Sequence, residues 1–455
     1  MAENRILYTH YRIGKTDGVS IEAAAWRQIW EDMGARVAFC AGPVSQGVEY
    51  VIENLEQQWY PPVFLIDEEA FGGLKTFENE AEFIQAVREQ QNQLRPAFEE
   101  VVQDFQPTHL VFSNIFSVGE HIAAPEALMD VLDAHQLPTV CIHHDFYWEG
   151  PRYERPSSPF VEWMLEQFYP PQRDYIRHAC INSVAQEELR WRKGIEASML
   201  YDTLDFKQPF WHMDDYNQDL LHNRGVADND LVVLQATRIV RRKNIEVAID
   251  VVAQLADRMA QDGKKELIDG KVFDPEHNRV WLVLAGYAEI RDESYRESLI
   301  AHAAREGVNL LPLGDAIGTG RFMAPEAVGK RYSLWDVYPH ADLITYPSEK
   351  EGFGNQFLEA VFARKPVVTF EYPVFQRDIK PRGFQIVSLG DRLHVNAETH
   401  LVEIPPATLE GAANEAFALL QDRDRYWEMV EHNFQLAAQN FSYEQTAERW
   451  RELLG

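Results

Sequence analysis

The chain has 455 residues, of which 45% are hydrophobic and 12% aromatic, and a formal net charge of −29. That length and apolar content describe a globular protein of two domains, each of about 200 residues and able to bury a core, and they exclude a disordered chain. The acidic balance excludes nonspecific nucleic-acid binding. Residues 1–200 hold 15 Lys and Arg against 31 Asp and Glu, 15 − 31 = −16, which lacks the basic character that suits an anionic lipid surface.

RILYTH, residues 5–10, predicts a buried strand. A loop with Gly14 and Gly18, a helix over SIEAAAWRQIWEDM and the strand VAFCA complete one Rossmann-like unit. The loop is not G-x-G-x-x-G, so a dinucleotide site has little support. A polar, helix-rich stretch from about 76 to 106 follows and is expected to break or kink at Pro96. THLVFSN (108–114), TVCIHHDFYWEGPRY (139–153) and HACINS continue the first sheet as apolar strands with polar ends. Ligands collect at the carboxyl ends of parallel strands, which makes Asn114, His143, His144 and Asp145 candidates for ligand contact. Tyr147, Trp148 and Arg152 are near enough to stack on or hydrogen-bond an acceptor; core packing is the alternative for these aromatics, and a hydrogen-bonded strand end for the His-His-Asp cluster. A zinc site would need a third ligand at suitable spacing, and the sequence offers none.

Periodicity lapses over YDTLDFKQPFWHMDD, 201–215, and places a hinge near 204–210. A second sheet is predicted from LVVLQAT, VWLVLAG, VNLLPLG, ADLITYP and PVVTF, with AIGTGRFMAPEAVGKRYSL, 316–334, as a longer loop. The last stretch, DRYWEMVEHNFQLAAQNFSYEQTAERWRELL, predicts two helices. The alternation of strands and helices gives an α/β class. Cys40, Cys141 and Cys180 each lie in an apolar run without motif spacing and read as reduced core residues of a cytoplasmic protein. MAENRILYTHYRIG has no long apolar run of the secretory kind, and no later segment has the ~18 apolar residues of a membrane span, so neither is expected.

Two segments of the second half carry chemistry. In YPSEKEGFGNQFLEAVFARKP, 346–366, a strand meets a helix through a glycine-containing turn, with the carboxylates Glu351 and Glu359 around it. Backbone N–H groups freed there and the positive end of the helix dipole suit a diphosphate, which makes Gly352, Phe353, Gly354 and Asn355 donor-binding candidates. Glu359 lies about one turn inside, where it can accept from ribose hydroxyls; Glu351, at the mouth, can hold hydroxyls of the sugar being moved. Leu358, Val361 and Phe362 mark the buried face of the helix. Upstream, LVVLQATRIVRRKNIEVAID, 231–250, runs from a strand through Arg238, Lys243 and Asn244 into an amphipathic helix, with Arg241 and Arg242 reading as a solvated basic turn.

The string E-G-F-G-x-x-x-L-E followed by P-V-V resembles the Glu-x7-Glu signature of retaining glycosyltransferases of family four. The resemblance implies the GT-B fold, two Rossmann-like domains with a cleft between them and a last helix that crosses back to the N-domain. Expected domains are 1–205 on the acceptor side, 206–428 binding the nucleotide sugar, and 429–455 as the returning helices. It further implies that Arg238 and Lys243, as the family's Arg-x4-Lys pair, clamp the donor diphosphate, and that Gly18 matches the glycine-rich loop facing the donor phosphates. His144, beside Asp145, matches the His-Asp element near the acceptor and transferred sugar, and the backbone at Leu313 and Gly314 edges the nucleotide base. Many members have a small residue and glycine before P-V; Ala363, Arg364 and Lys365 stand here instead, and are expected to extend the helix or set a basic side chain near the cleft. The run SLWDVYPHADLITYPSEKEGFGNQFLEA is similar to members acting on small soluble acceptors, such as sugar-glycerate or disaccharide synthases.

The implied reaction moves a hexose from a nucleoside diphosphate sugar to an acceptor hydroxyl with retention, the departing phosphate helping to deprotonate the acceptor. Arg238, Lys243, Glu351 and His144 would carry it, and the charge gained by the leaving diphosphate is what the two cations would stabilise. No cofactor is expected beyond the nucleotide sugar as co-substrate, with UDP-glucose and GDP-mannose both compatible. No metal is expected: Asp422-Arg423-Asp424, the nearest D-x-D, reads as solvated helix surface. A sugar-nucleotide epimerase of the same architecture and a noncatalytic sugar-nucleotide binding protein are the alternatives; the paired motifs weigh against both. Base, hexose, acceptor and oligomeric state stay open.

Overall fold

The computed structural model describes residues 4–14, 18–56, 60–286, 293–318, 320–323 and 329–455. It divides into two units, Met1–Thr203 with Tyr443–Gly455, and Leu204–Ser442. In the first, β1 (Arg5–Thr9), β2 (Arg36–Ala41), β3 (Tyr50–Val51), β4 (His109–Ser113), β5 (Thr139–His143), β6 (Ile176–Cys180) and β7 (Ala197–Met199) form one sheet in the order β3-β2-β1-β4-β5-β6-β7. Every pair is parallel. Parallel neighbours need crossovers, supplied by α1 (Gly18–Asp32), α2 (Pro61–Glu69), α3 (Glu80–Phe105), α4 (Ala124–His135), α5 (Pro159–Phe168) and α6 (Ser183–Lys193). Helices on both faces bury the strands as continuous apolar runs, so Ile6, Leu7 and Tyr8 are all fully buried.

α3 runs unbroken through Pro96, contrary to the expected break. One face of the helix buries Phe83, Val87, Leu94, Phe98, Val102 and Phe105, and that packing outweighs one missing backbone hydrogen bond.

In the second unit, β8 (Leu231–Gln235), β9 (Val280–Leu284), β10 (Asn309–Pro312), β11 (Leu343–Tyr346), β12 (Val367–Thr369) and β13 (Val387–Ser388) pair in parallel in the order β10-β9-β8-β11-β12-β13. Its helices are α7 (Ile245–Asp262), α8 (Glu293–Arg305), α9 (Asn355–Phe362), α10 (Pro406–Leu419) and α11 (Arg423–Asn440). Each sheet starts in the middle, winds to one edge, and returns beside its first strand to wind to the other. This Rossmann winding leaves a switch point between β1 and β4 in one unit and between β8 and β11 in the other, where the loops diverge and leave room for a ligand. Within the expected loop 316–334, the described residues Ile317–Gly318, Phe322–Met323 and Lys330–Ser333 pair as a small three-stranded sheet.

The final helix, α12 (Tyr443–Leu454), belongs to the first unit. Trp450 inserts its ring against Trp30 and Trp26 of α1 at 4.7 and 5.7 Å between centroids. Arg177 donates to the carbonyls of Glu452 and Leu453 at 2.8 and 2.9 Å, a cation on the negative end of the helix. Residues 429–442, expected to return with it, stay with the second unit. They form the body of α11, which packs on α9 through Met429, Val430, Phe434 and Ala437. Asp422 caps α11 by accepting from the Arg425 N–H at 3.1 Å, which explains the D-x-D string as helix-start chemistry.

Candidate active site

The switch point of the second unit brings together the loop after β8 and the loop after β11. Asn244, in the left-handed conformation with φ of 46°, donates from its side chain to the Pro347 carbonyl at 3.1 Å. The Arg242 carbonyl accepts from the Glu349 N–H at 3.1 Å, and Arg242 Nη1 donates to the Lys350 carbonyl at 2.8 Å. These bonds stitch the basic turn to the carboxylate loop, so residues over a hundred apart in sequence form one site.

At its centre Lys243 donates to Glu351 Oε1, while Arg242 Nη1 donates to Oε2 at 2.9 Å. Both the Lys243 and Glu351 side chains are only 9% exposed. Burial pushes the Glu351 carboxyl up, but the charges of Lys243 and then Arg242 outweigh it and hold the group below the usual carboxylate range. Arg238 lies close enough for its charge to act on Lys243. Three cations about one carboxylate leave a net positive field beside the turn. Arg242 is therefore more than the solvated turn residue the sequence suggested, half-exposed yet bonded to Glu351, whereas Arg241 faces away and lies over the Tyr295 ring at 5.2 Å.

Gly354 begins α9 with φ of 146°, and a Cβ there would lie 2.4 Å from Tyr372 Oη. Only glycine fits, because the Tyr372 hydroxyl is held by the Phe353 carbonyl at 2.7 Å. Phe353 buries its ring against Phe441, at 5.0 Å between centroids, so only backbone faces a ligand there. Gly352 and Asn355, partly exposed, flank it. Glu359 lies inside the helix with Tyr338 Oη donating to its Oε2 at 2.6 Å. Burial lifts the Glu359 carboxyl to about 7, against the lowering effects of the Tyr338 hydrogen bond and the Lys243 charge. Leu358, Val361 and Phe362 are buried, as the apolar face predicts. Leu313 and Gly314 follow β10 at the same carboxyl end; the Leu313 side chain is core, and its N–H donates to the Leu284 carbonyl at 2.7 Å.

Gly286, which the sequence did not mark, makes this geometry. A Cβ on it would lie 1.7 Å from the Thr237 carbonyl oxygen, so the end of β9 touches the backbone that presents Arg238. Tyr338 was missed as well, since nothing in the sequence ties it to Glu359.

Ala363–Lys365 does not extend the helix. α9 ends at Phe362, Arg364 turns left-handed at φ 52°, and its guanidinium lies between the Phe210 and Phe434 rings at 3.9 Å from each. Its Nε pairs with Glu431 at 3.0 Å, so the basic group serves packing of α11.

In the first unit, Asn114 at the end of β4 adopts φ of 59° and accepts through Oδ1 from the N–H groups of His144 and Asp145, at 2.8 and 3.3 Å. That clamp shapes the end of β5, with His144 buried against the Trp26 ring at 5.7 Å and Asp145 exposed. His143 does not join them. Strand alternation turns it into the core, fully buried and 3.0 Å from His178 Nδ1, and burial keeps it neutral. Trp148 stacks on Phe146 at 4.2 Å and donates to Glu188 at 3.2 Å, and Tyr147 packs at 6.4 Å from Tyr169. Arg152 donates to Asp67 Oδ2 at 2.7 Å. All three are drawn into internal contacts of the first unit. Gly18 is exposed at the first residue of α1, and residues 15–17 of its loop lie outside the described residues.

Among the described residues, Asp274, Glu276 and His277 cluster closely enough to suggest metal ligands, but they precede β9 at the amino end of the sheet, away from the switch point. No described helix is long and apolar enough to cross a membrane. Cys40, Cys141 and Cys180 are buried free thiols, and burial pushes Cys40 and Cys180 up to about 12.

Two Rossmann units, with a basic cluster at the second switch point, have the architecture of GT-B enzymes. Residues 218–385 match the family described as glycosyl transferases group 1. A mannosylglucosylglycerate synthase from Thermotoga maritima is 36% identical over 441 residues, 97% of each chain. One from Petrotoga mobilis is 36% identical over 416 residues, 91% of this chain and 92% of the relative. A solved glycosyltransferase from Rickettsia africae shares the fold at a TM-score of 0.62 and 12% identity, with 100% of this chain and 98% of that one covered. The chain belongs to the group 1 glycosyltransferases, the retaining enzymes of family four, and it moves a sugar from a nucleoside diphosphate sugar to a small acceptor.

Proposed function

We propose that the chain transfers a mannosyl group from a nucleoside diphosphate mannose, GDP-mannose being the candidate donor, to a hydroxyl of glucosylglycerate, with retention at the anomeric carbon. The observation that carries this reading is the near full-length similarity to two mannosylglucosylglycerate synthases. Lys243 and Arg238, with backbone N–H groups of the 352–355 turn, take the diphosphate and stabilise the charge it gains as the glycosidic bond breaks. Glu359 accepts from the ribose hydroxyls, Glu351 orients hydroxyls of the transferred sugar, and Leu313 and Gly314 border the base. The leaving phosphate takes the acceptor proton, so the new bond forms on the face the old one leaves. Protein cations carry out the neutralisation in this reading, with no metal ion needed. On the acceptor side, His144 and Asp145 contact the sugar or its acceptor, Asn114 holds them, and the Gly18 loop contacts phosphate. The enzyme works in the cytoplasm, where its three buried thiols stay reduced.

The test is a set of GDP- and UDP-sugars with and without glucosylglycerate, read by nucleoside diphosphate release and product mass. Acceptor-dependent release from one donor, with a product one hexosyl heavier than the acceptor, supports the reading. Interconversion of the donor without acceptor would favour an epimerase and overturn it.

A further inference from the structure

Building on Lys243 as a diphosphate ligand, we propose that Arg242 is the positioning residue of this site: it is the permanent partner of Glu351, and so frees Lys243 to leave that carboxylate for the donor. Glu351 receives two cations, one on each oxygen, and with a side chain only 9% exposed it needs at least one of them. The two differ in how they are held. Arg242 is tied to the carboxylate loop at three points, by Nη1 to Glu351 at 2.9 Å, by Nη1 to the Lys350 carbonyl at 2.8 Å, and by its own carbonyl to the Glu349 N–H at 3.1 Å. Its side chain is 41% exposed, so keeping it charged costs little desolvation. Lys243 is buried on a flexible stem, its ammonium bonded to Glu351 and 5.6 Å from the centre of the Tyr346 ring.

A donor diphosphate that draws Lys243 away would leave Glu351 buried without a counter-charge if Arg242 were absent, and stranding a buried carboxylate is strongly unfavourable. With Arg242 in place, the ammonium can change partners while Glu351 stays ionised and fixed. Arg241, its sequence neighbour, has no part in this, because its guanidinium lies over Tyr295.

The experiment compares donor kinetics of the full chain carrying Arg242→Met, Arg242→Lys, Arg241→Met, Glu351→Gln and the Arg242→Met/Glu351→Gln pair. Arg242→Met is expected to raise the donor KM about tenfold or more, and to move the second, more acidic step of the kcat/KM profile, below the one that Glu359 sets, to higher pH, because Glu351 loses a lowering charge. Arg242→Lys recovers most of the loss, and Arg241→Met stays within about twofold of wild type. The double variant is no worse than Glu351→Gln alone, since Arg242 acts through that carboxylate. Additive losses in the double variant, or a wild-type KM and pH profile in Arg242→Met while Lys243→Ala is impaired, would overturn the proposal. Wild-type kinetics in Lys243→Ala would instead remove the diphosphate assignment beneath it. Should Arg242→Met fail to fold, Arg242→Lys with and without Glu351→Gln supplies the same cycle.

Discussion

Tyr338→Phe removes one hydrogen bond and little packing, because the ring is fully buried and stays 5.1 Å from Trp211. The lost bond is the one that Tyr338 Oη donates to Glu359 at 2.6 Å. It opposes the burial that lifts Glu359 to about 7. A hydrogen bond to a charged group contributes about 1.5–3 kcal/mol, or about 1–2 pKa units, so the carboxyl of the variant moves to roughly 8–9. At pH 7.5 the ionised fraction falls from about three quarters to between roughly a quarter and a thirtieth. With ribose hydroxyls accepted only by the carboxylate, the donor KM rises roughly 3- to 25-fold while kcat holds. The assay is donor KM from pH 6 to 9.5 for both proteins, and the midpoint is expected to move alkaline by ~1–2 units. A superimposable KM–pH curve would refute the reasoning. The stability sign follows from the same shift. A folded pKa of about 7 against the ordinary 4.5 makes Glu359 cost stability as pH rises from 4.5 through 7, with the full cost present above that. Glu359→Gln therefore raises the unfolding free energy from urea titration at pH 8, by about 3 kcal/mol at most, and leaves it unchanged at pH 4, while weakening donor binding.

Lys243→Ala is expected to lower kcat by about a hundredfold in the donor-saturated assay, since it removes a charge aimed at the leaving diphosphate. Gly286→Ala forces a methyl against the Thr237 carbonyl, which lies 1.7 Å from the ideal Cβ. The Arg238 backbone then shifts, kcat/KM drops about a hundredfold, and urea unfolding shows a loss of about 1–3 kcal/mol. Asn114→Ala leaves the buried His144 N–H without its acceptor, costs about 1–3 kcal/mol in denaturant titration, and raises the acceptor KM more than the donor KM.

The strand-turn-helix around Glu351 and Glu359 was legible because a period-3.6 apolar face, a glycine turn and two carboxylates occupy one short segment. Gly354 is required by φ and by Tyr372, and Leu358, Val361 and Phe362 are buried as their spacing indicates. Arg242 was not legible: three basic residues in a row look alike, and only the pairing of β8 with β11 decides that one meets Glu351 while another stacks on Tyr295. Tyr338 and Gly286 were hidden for the same reason, since their partners lie on elements distant in sequence, Glu359 on α9 and Thr237 after β8. His143 and His144 are adjacent letters that are both buried, yet one side chain meets His178 and the other the Trp26 ring, a difference the letters do not show. Arg364 reads as a surface cation, yet its guanidinium fills the space between two rings, a use of the flat cation that composition does not reveal.

The most direct measurement is a crystal structure of the full chain with a bound nucleoside diphosphate. Phosphate oxygens are expected within hydrogen-bond reach of Lys243 and the Gly354 turn, with ribose hydroxyls on Glu359 and Arg242 as the cation that stays on Glu351. A nucleotide bound elsewhere, or at the turn with Lys243 still on Glu351 and no ribose contact to Glu359, would contradict this assignment.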